Sequence, residues 1–180
     1  MKSHYVSVPL TTECRENLKA LQETLLDDAK KLKLRSNFVE DAHLTLGVFS
    51  IDKSKRRDGE TEEQLIVSVN KVLQDFLQKQ RPPLQLTFGE LGNFGTRIVF
   101  INITNVTQLE TLRQEIKDLL KEEGILVADN RFTPHVTLFR QASRGPVKPE
   151  ASVQDLVTRK DISPVVASPL NKIVFQKLRE

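Results

Sequence analysis

Apolar residues along this chain change period repeatedly, from alternation every second position to recurrence every third or fourth, and the order of the changes is itself repeated. Tyr5 to Pro9 alternates as a strand does, and Leu18, Leu21, Leu25 and Leu32 then recur at helical spacing behind Thr11 or Thr12, either of which can cap the helix. A second alternating run covers Ala42 to Phe49. A polar loop from Asp52 to Glu60 leads to Thr61-Glu62-Glu63-Gln64, a capping-box sequence that opens a helix with Leu65, Val69, Val72, Leu73, Phe76 and Leu77 inward and with Pro82 and Pro83 as its stop. Leu84 to Phe88 and Arg97 to Ile103 alternate around Gly92-Asn93-Phe94-Gly95, which predicts a hairpin with its turn at those four residues. Thr107 with Glu110 is a further capping-box pair, ahead of a helix carrying Leu109, Leu112, Ile116, Leu119 and Leu120 that stops at Gly124. A strand follows Pro134. Gln141 to Pro169 lacks periodicity except for a short helix around Val153 to Val157, and Leu170 to Leu178 reads as a last strand.

Tyr5 precedes His43 by 38 positions and Ile98 precedes His135 by 37, and each interval reads strand, helix, strand. The spacing suggests an internal duplication within a single domain spanning 1–180, its two lobes related by a pseudo-twofold axis. The expected class is α+β, with mainly antiparallel sheet, helices packed outside and a cleft between the lobes.

The two segments related in this way share a string. His43-Leu44-Thr45-Leu46 and His135-Val136-Thr137-Leu138 have the same chemistry, and they use two of the three histidines in the chain. In a strand each His and the Thr two positions on face one side, while the apolar residues face the other. A lone histidine on an alternating strand is ordinarily structural. Two of them, in equivalent segments and each beside a hydroxyl, point to a shared site. One imidazole can accept a proton while the other donates one, as phosphodiester cleavage requires, and the threonine hydroxyls can hydrogen-bond the non-bridging oxygens. The chemistry needs no metal or cofactor. His4 has no Thr two positions on and reads as structural or exposed, with the alternative that it and Tyr5 line the cleft if the first strand is central.

Composition narrows the ligand. With 27 basic and 24 acidic residues the net charge is only +3, too mild a field for a protein that grips long duplex nucleic acid and better matched to a small phosphorylated ligand or a short oligonucleotide. The basic runs Lys30 to Arg35 and Lys53 to Arg57 read as a charged helix end and a solvated loop. Cys14, the single cysteine, excludes an internal disulfide and reads as structural rather than as a reactive thiol. No run approaches the roughly 20 apolar residues of a membrane span, and no signal-like stretch opens the chain, so an intracellular monomer in cytoplasm or nucleus, without membrane contact, is the expectation.

The paired His-x-Thr-x strings resemble the signature of the 2H phosphoesterase superfamily, which includes the bacterial 2′-5′ RNA ligase-like proteins and cyclic nucleotide phosphodiesterases. Gly92-Asn93-Phe94-Gly95, Gly124-Ile125-Leu126-Val127 and Phe132-Thr133-Pro134-His135-Val136-Thr137-Leu138 look similar, more narrowly, to the central domain of the A-kinase anchoring protein 7 group. The resemblance runs from Tyr5 to about Leu178. It implies a metal-independent phosphodiesterase acting on a 2′,5′-oligoadenylate or a 2′,3′-cyclic phosphate end. His43 and His135 would be its acid/base pair, Thr45 and Thr137 its phosphate donors, and Phe94 and Lys172 its nucleotide contacts. Arg131 and Arg140 flank the second string; Arg140 lies an odd number of positions from His135, so strict alternation sends it to the opposite face, and both are left out of the site. Asn171 to Leu178 alternates as a strand, so no kinase-anchoring helix is expected there. Two rivals are a nucleotide-binding or scaffold module with little turnover, and a general RNA-binding domain.

Overall fold

The computed structural model describes residues 2–39, 42–80, 83–128, 131–142 and 150–178. The elements run β1 (His4–Pro9), α1 (Thr12–Lys31), β2 (Leu34–Ser36), β3 (His43–Ile51), α2 (Glu62–Gln78), β4 (Gln85–Leu86), β5 (Phe88–Phe94), β6 (Ile98–Ile103), α3 (Val106–Glu122), β7 (Ile125–Val127), β8 (His135–Gln141), α4 (Glu150–Val157), β9 (Ser168–Pro169) and β10 (Val174–Lys177). A 3-10 turn at Lys53–Lys55 follows β3.

The strands form two four-stranded antiparallel sheets, ordered β10-β1-β3-β7 and β2-β8-β6-β5, and β4 pairs with β9. The fold class read from the sequence is therefore the observed one. The element order from β1 to β5 is the order from β6 to β10, but neither sheet is built from one half of the chain. The first half gives β1 and β3 to one sheet and β2 and β5 to the other, and the second half does the converse. The helices cross over as well: α1, which follows β1, packs on β2 and β8, and α3, which follows β6, packs on β7 and β3. Their buried positions share one spacing, Leu18, Leu21, Gln22, Leu25, Ala29 on α1 and Leu109, Leu112, Arg113, Ile116, Leu120 on α3.

Local sequence explains most boundaries. Thr11 caps α1 by accepting from the Cys14 N–H at 3.3 Å, and the Thr61/Gln64 capping box of α2 is made in both directions. Helix α2 already ends at Gln78; Pro82 lies outside the described residues. Helix α3 departs from expectation, because Asn105 and not Thr107 precedes it. The Asn105 amide is taken up by the neighbouring chain, donating to Gln85 O at 2.6 Å and accepting from Thr87 N at 3.2 Å, and Thr107 becomes an ordinary helical residue. The hairpin also differs. Gly92, Asn93 and Phe94 continue β5, and the chain reverses at Gly95 to Arg97, where Gly95 takes φ +57° and Asn93 Nδ2 donates to its carbonyl at 2.7 Å. Gln85–Leu86 leaves the hairpin altogether to pair with β9. The last strand is shorter than expected, with Leu170 and Ile173 buried ahead of it.

Both basic runs are predominantly exposed, as expected of solvated segments. Cys14 is fully buried against Ser168, and burial pushes its thiol up to about 11, far from the thiolate range a reactive cysteine needs. Among the described residues no helix is long and apolar enough to cross a membrane.

Two predictions follow from buried polar groups. Gln22 Nε2 donates to both Asn37 O and Leu138 O at 2.9 Å, so Gln22→Leu removes this donor from the part-buried Asn37 carbonyl and one of two from Leu138 O, and is expected to cost about 1–3 kcal/mol in urea denaturation. His4 is buried, stacked on Phe175 at 5.0 Å and 9°, with Nε2 2.9 Å from Glu62 Oε1; burial lowers its pKa below the usual 6.5 despite Glu62, and Lys177 and Arg56 lower it further. The unfolded chain thus takes up this proton first. Stability holds above pH 6.5 and falls below it until folded His4 is itself protonated, and His4→Gln should flatten that decline in denaturation midpoints measured across the range.

Candidate active site

The inward faces of the two central strands are apolar. Leu44, Leu46, Val136 and Leu138 are all buried, each contributing about 1.5–3 kcal/mol, and this fixes which way the intervening residues point. His43, Thr45, His135 and Thr137 consequently lie half-buried on the opposite faces. Strands β3 and β8 adjoin one another where the two sheets meet.

Each strand carries a bulge at the same place. Ser7 opposes Thr45 and Val6 opposes Gly47, so Leu46 is the extra residue; Phe100 opposes Thr137 and Val99 opposes Phe139, so Leu138 is. An extra residue reverses alternation beyond it. Leu138 and Phe139 are both buried in succession, and Arg140 returns to the face of His135 and Thr137. This corrects the expectation that set Arg140 aside, which counted residues on an unbroken strand. The bulge is pinned from two sides, since the Leu138 carbonyl accepts from Asn37 N at 2.8 Å and from Gln22.

His43, Thr45, His135, Thr137 and Arg140 line one cavity of about 110 Å³, together with Asn37. Arg140 Nε donates to Asn37 Oδ1 at 3.2 Å, which orients the guanidinium. His135 Nδ1 lies 2.6 Å from Thr133 O, and because a carbonyl only accepts, Nδ1 carries the proton and the neutral ring keeps Nε2 as its basic nitrogen. The segment leading to His135 is braced by the buried Arg113, whose guanidinium sits 5.1 Å above the Phe132 ring. His43 also lines an adjoining groove of about 530 Å³ over Tyr5, Ser7, Val174 and Gln176. A larger cavity of about 780 Å³ lies along β5 and α4; neither motif histidine lines it, so size does not select the site and the donor set does.

Phe94 joins the group. Its ring meets His135 edge-on at 5.0 Å and packs on Phe100 at 4.4 Å, while remaining 41% exposed. Lys172 does not line either cavity that holds the histidines; it is exposed and precedes β10 rather than lying in it. Arg131 is exposed and outside both linings. His4 is buried among structural contacts. Among the described residues no cluster of three or more His, Cys, Asp or Glu is arranged to hold a metal ion.

A family model described as the AKAP7 2′5′ RNA ligase-like domain matches residues 2–166. The chain belongs to that family. Within the wider 2H phosphoesterase fold, this AKAP7-like domain is similar to the MHV ns2 PDE domain, with a TM-score of 0.62 at 14% identity over 99% of this chain and 100% of that one. It is also similar to E. coli LigT complexed with 3′-AMP, at 0.55 and 16% over 99% and 95%, and to E. coli LigT complexed with phosphate, at 0.52 and 17% over 99% and 95%. No curated protein matches the chain in sequence.

In the AKAP7-like domain the cavity assembles two imidazoles, two hydroxyls and a guanidinium, a donor set suited to a phosphate oxyanion. Arg140→Ala is expected to weaken inorganic phosphate binding about tenfold or more in calorimetry, in line with about 1.5–3 kcal/mol for a hydrogen bond to a charged group, and Arg140→Lys to restore only part of it.

Proposed function

We propose that the protein is a metal-independent phosphodiesterase acting on short oligonucleotides, with a 2′,5′-oligoadenylate or a 2′,3′-cyclic phosphate end as substrate. The observation that carries this reading is that both His-x-Thr strings, 92 positions apart in sequence, line one cavity of about 110 Å³. Two general acid/base groups on one phosphate are what an in-line displacement at phosphorus requires. E. coli LigT has been crystallised with phosphate and with 3′-AMP, which lends the ligand class support.

For a 2′-5′ linkage, one imidazole accepts the proton of the free 3′-hydroxyl as its oxygen bonds to phosphorus. The phosphorus–oxygen bond to the 5′ carbon's oxygen breaks, and the other imidazole gives that oxygen its proton, leaving a 5′-hydroxyl and a 2′,3′-cyclic phosphate. With a cyclic phosphate end as substrate, water replaces the 3′-hydroxyl and a ring oxygen leaves. Thr45 and Thr137 donate to the non-bridging oxygens, and Arg140 offsets their charge. Such preorganised donors act without reorganisation as charge builds on phosphorus.

Mass analysis of products from 2′,5′- and 3′,5′-linked oligoadenylates tests the reading. The 2′,5′ linkage should be cleaved, with full rate in EDTA and a bell-shaped pH profile. His43→Ala and His135→Ala should each lower kcat by about 10²–10⁴ while the denaturation midpoint holds. Binding without turnover, strict metal dependence, or wild-type rates in both variants would overturn it.

A further inference from the structure

The chain exposes few large apolar side chains among its described residues, and two of them flank the phosphate cavity. Phe94 is one. The other is Phe38, which is 76% exposed, the highest value among the exposed large hydrophobics. Nothing in the sequence pattern singles it out. Its position does. The residue before it, Asn37, lines the histidine cavity and is tied down three times: its N–H donates to Leu138 O, its carbonyl accepts from Gln22, and its side-chain oxygen accepts from Arg140 Nε. Phe38 thus springs from a fixed point on the cavity wall, and among the described residues its ring lies outside the packed core.

The two aromatics stand on opposite sides of the phosphate donors. In the sheet ordered β2-β8-β6-β5, Phe38 follows β2 and Phe94 ends β5, with Thr137 and Arg140 on β8 between them. The Phe94 ring reaches from β5 over β6 to His135 on β8. Phe38 follows β2, on the other side of β8, so a phosphodiester seated at Thr137 has a chain position bearing an exposed aromatic residue to each side.

We infer that Phe38 is a base-stacking residue, and that the site takes a phosphodiester with a nucleoside on both sides, one base on Phe94 and the second on Phe38. This rests on the phosphodiesterase reading and deepens it. The two stacking surfaces differ in kind. Phe94 is already packed on Phe100 and His135, so it is preorganised and receives the base of a mononucleotide. Phe38 is 76% exposed beside the anchored Asn37 and is engaged when a second base is present. The domain then favours an internal or dinucleotide linkage over a lone nucleotide, because base–aromatic stacking adds affinity only where there is a base to stack.

The test uses adenylyl-(2′→5′)-adenosine and AMP with the whole chain. Phe38→Ala should weaken calorimetric binding of the dinucleotide about tenfold, about 1.4 kcal/mol, and that of AMP less than about twofold. The chain has no tryptophan, so Phe38→Trp introduces a single fluorophore whose emission the dinucleotide should quench and AMP should not. An unchanged denaturation midpoint for both variants is expected from the exposure of Phe38. Dinucleotide binding that is insensitive to Phe38→Ala and leaves the Phe38→Trp emission unquenched overturns the role of Phe38 while the proposed activity stands. Failure of the wild-type protein to bind either nucleotide overturns the phosphodiesterase reading itself, and the inference with it.

Discussion

The site depends on a constraint of strand geometry: two faces alternate along β3 and β8, and a bulge interrupts that alternation once, at the same place in each. Burial of Leu44, Leu46, Val136 and Leu138 leaves the imidazoles and hydroxyls no choice of side. The bulge then turns the next stretch over, so that Val48 in one strand and Arg140 in the other share the face of the histidines. The same device thus gives the groove beside His43 a neutral side chain and the phosphate cavity a guanidinium. The pseudo-symmetric frame carries an asymmetric site.

That frame is held by exchange between the halves. Because α1 packs behind β8 and α3 behind β3, each motif strand is backed by a helix from the half of the chain that does not contain it. Gln22 and Arg113 hold matching places on those helices: Gln22 acts across the exchange on the Leu138 bulge carbonyl, while Arg113 packs over Phe132, in its own half of the chain ahead of His135. Loosening either helix disturbs the opposite motif, which couples stability of the sheets to geometry at the cavity. Along the rim the two sides also differ, with Phe94 and Phe100 packed around His135 and an open groove beside His43.

Much of this was legible in the chain. The equivalence of Tyr5 and Ile98, inferred from spacing alone, is matched in the register, where Tyr5 opposes Val48 and Ile98 opposes Arg140, both five residues beyond a motif histidine. Histidine and threonine placement followed from period-two patterning because those residues precede the bulge. Arg140 did not, because a bulge adds a residue without any mark in composition; two consecutive apolar residues, Leu138 and Phe139, were the only signal that alternation had slipped. The crossover of strands between sheets was equally silent, since pairing partners distant in sequence leave no local trace. Asn105 displaced Thr107 as the residue preceding α3 for a similar reason: its partners, Gln85 and Thr87, belong to another element. Phe38 carried no pattern at all, and its significance comes from exposure next to an anchored neighbour.

The central claim is that His43 and His135 serve one phosphate together. Three histidines make this directly observable: imidazole resonances of isotope-labelled protein can be followed during titration with inorganic phosphate. The account predicts that the His43 and His135 signals move along one binding curve with a common midpoint while buried His4, remote from the cavity lining, stays fixed. Movement of only one motif histidine, or of the two with unrelated midpoints, would contradict it.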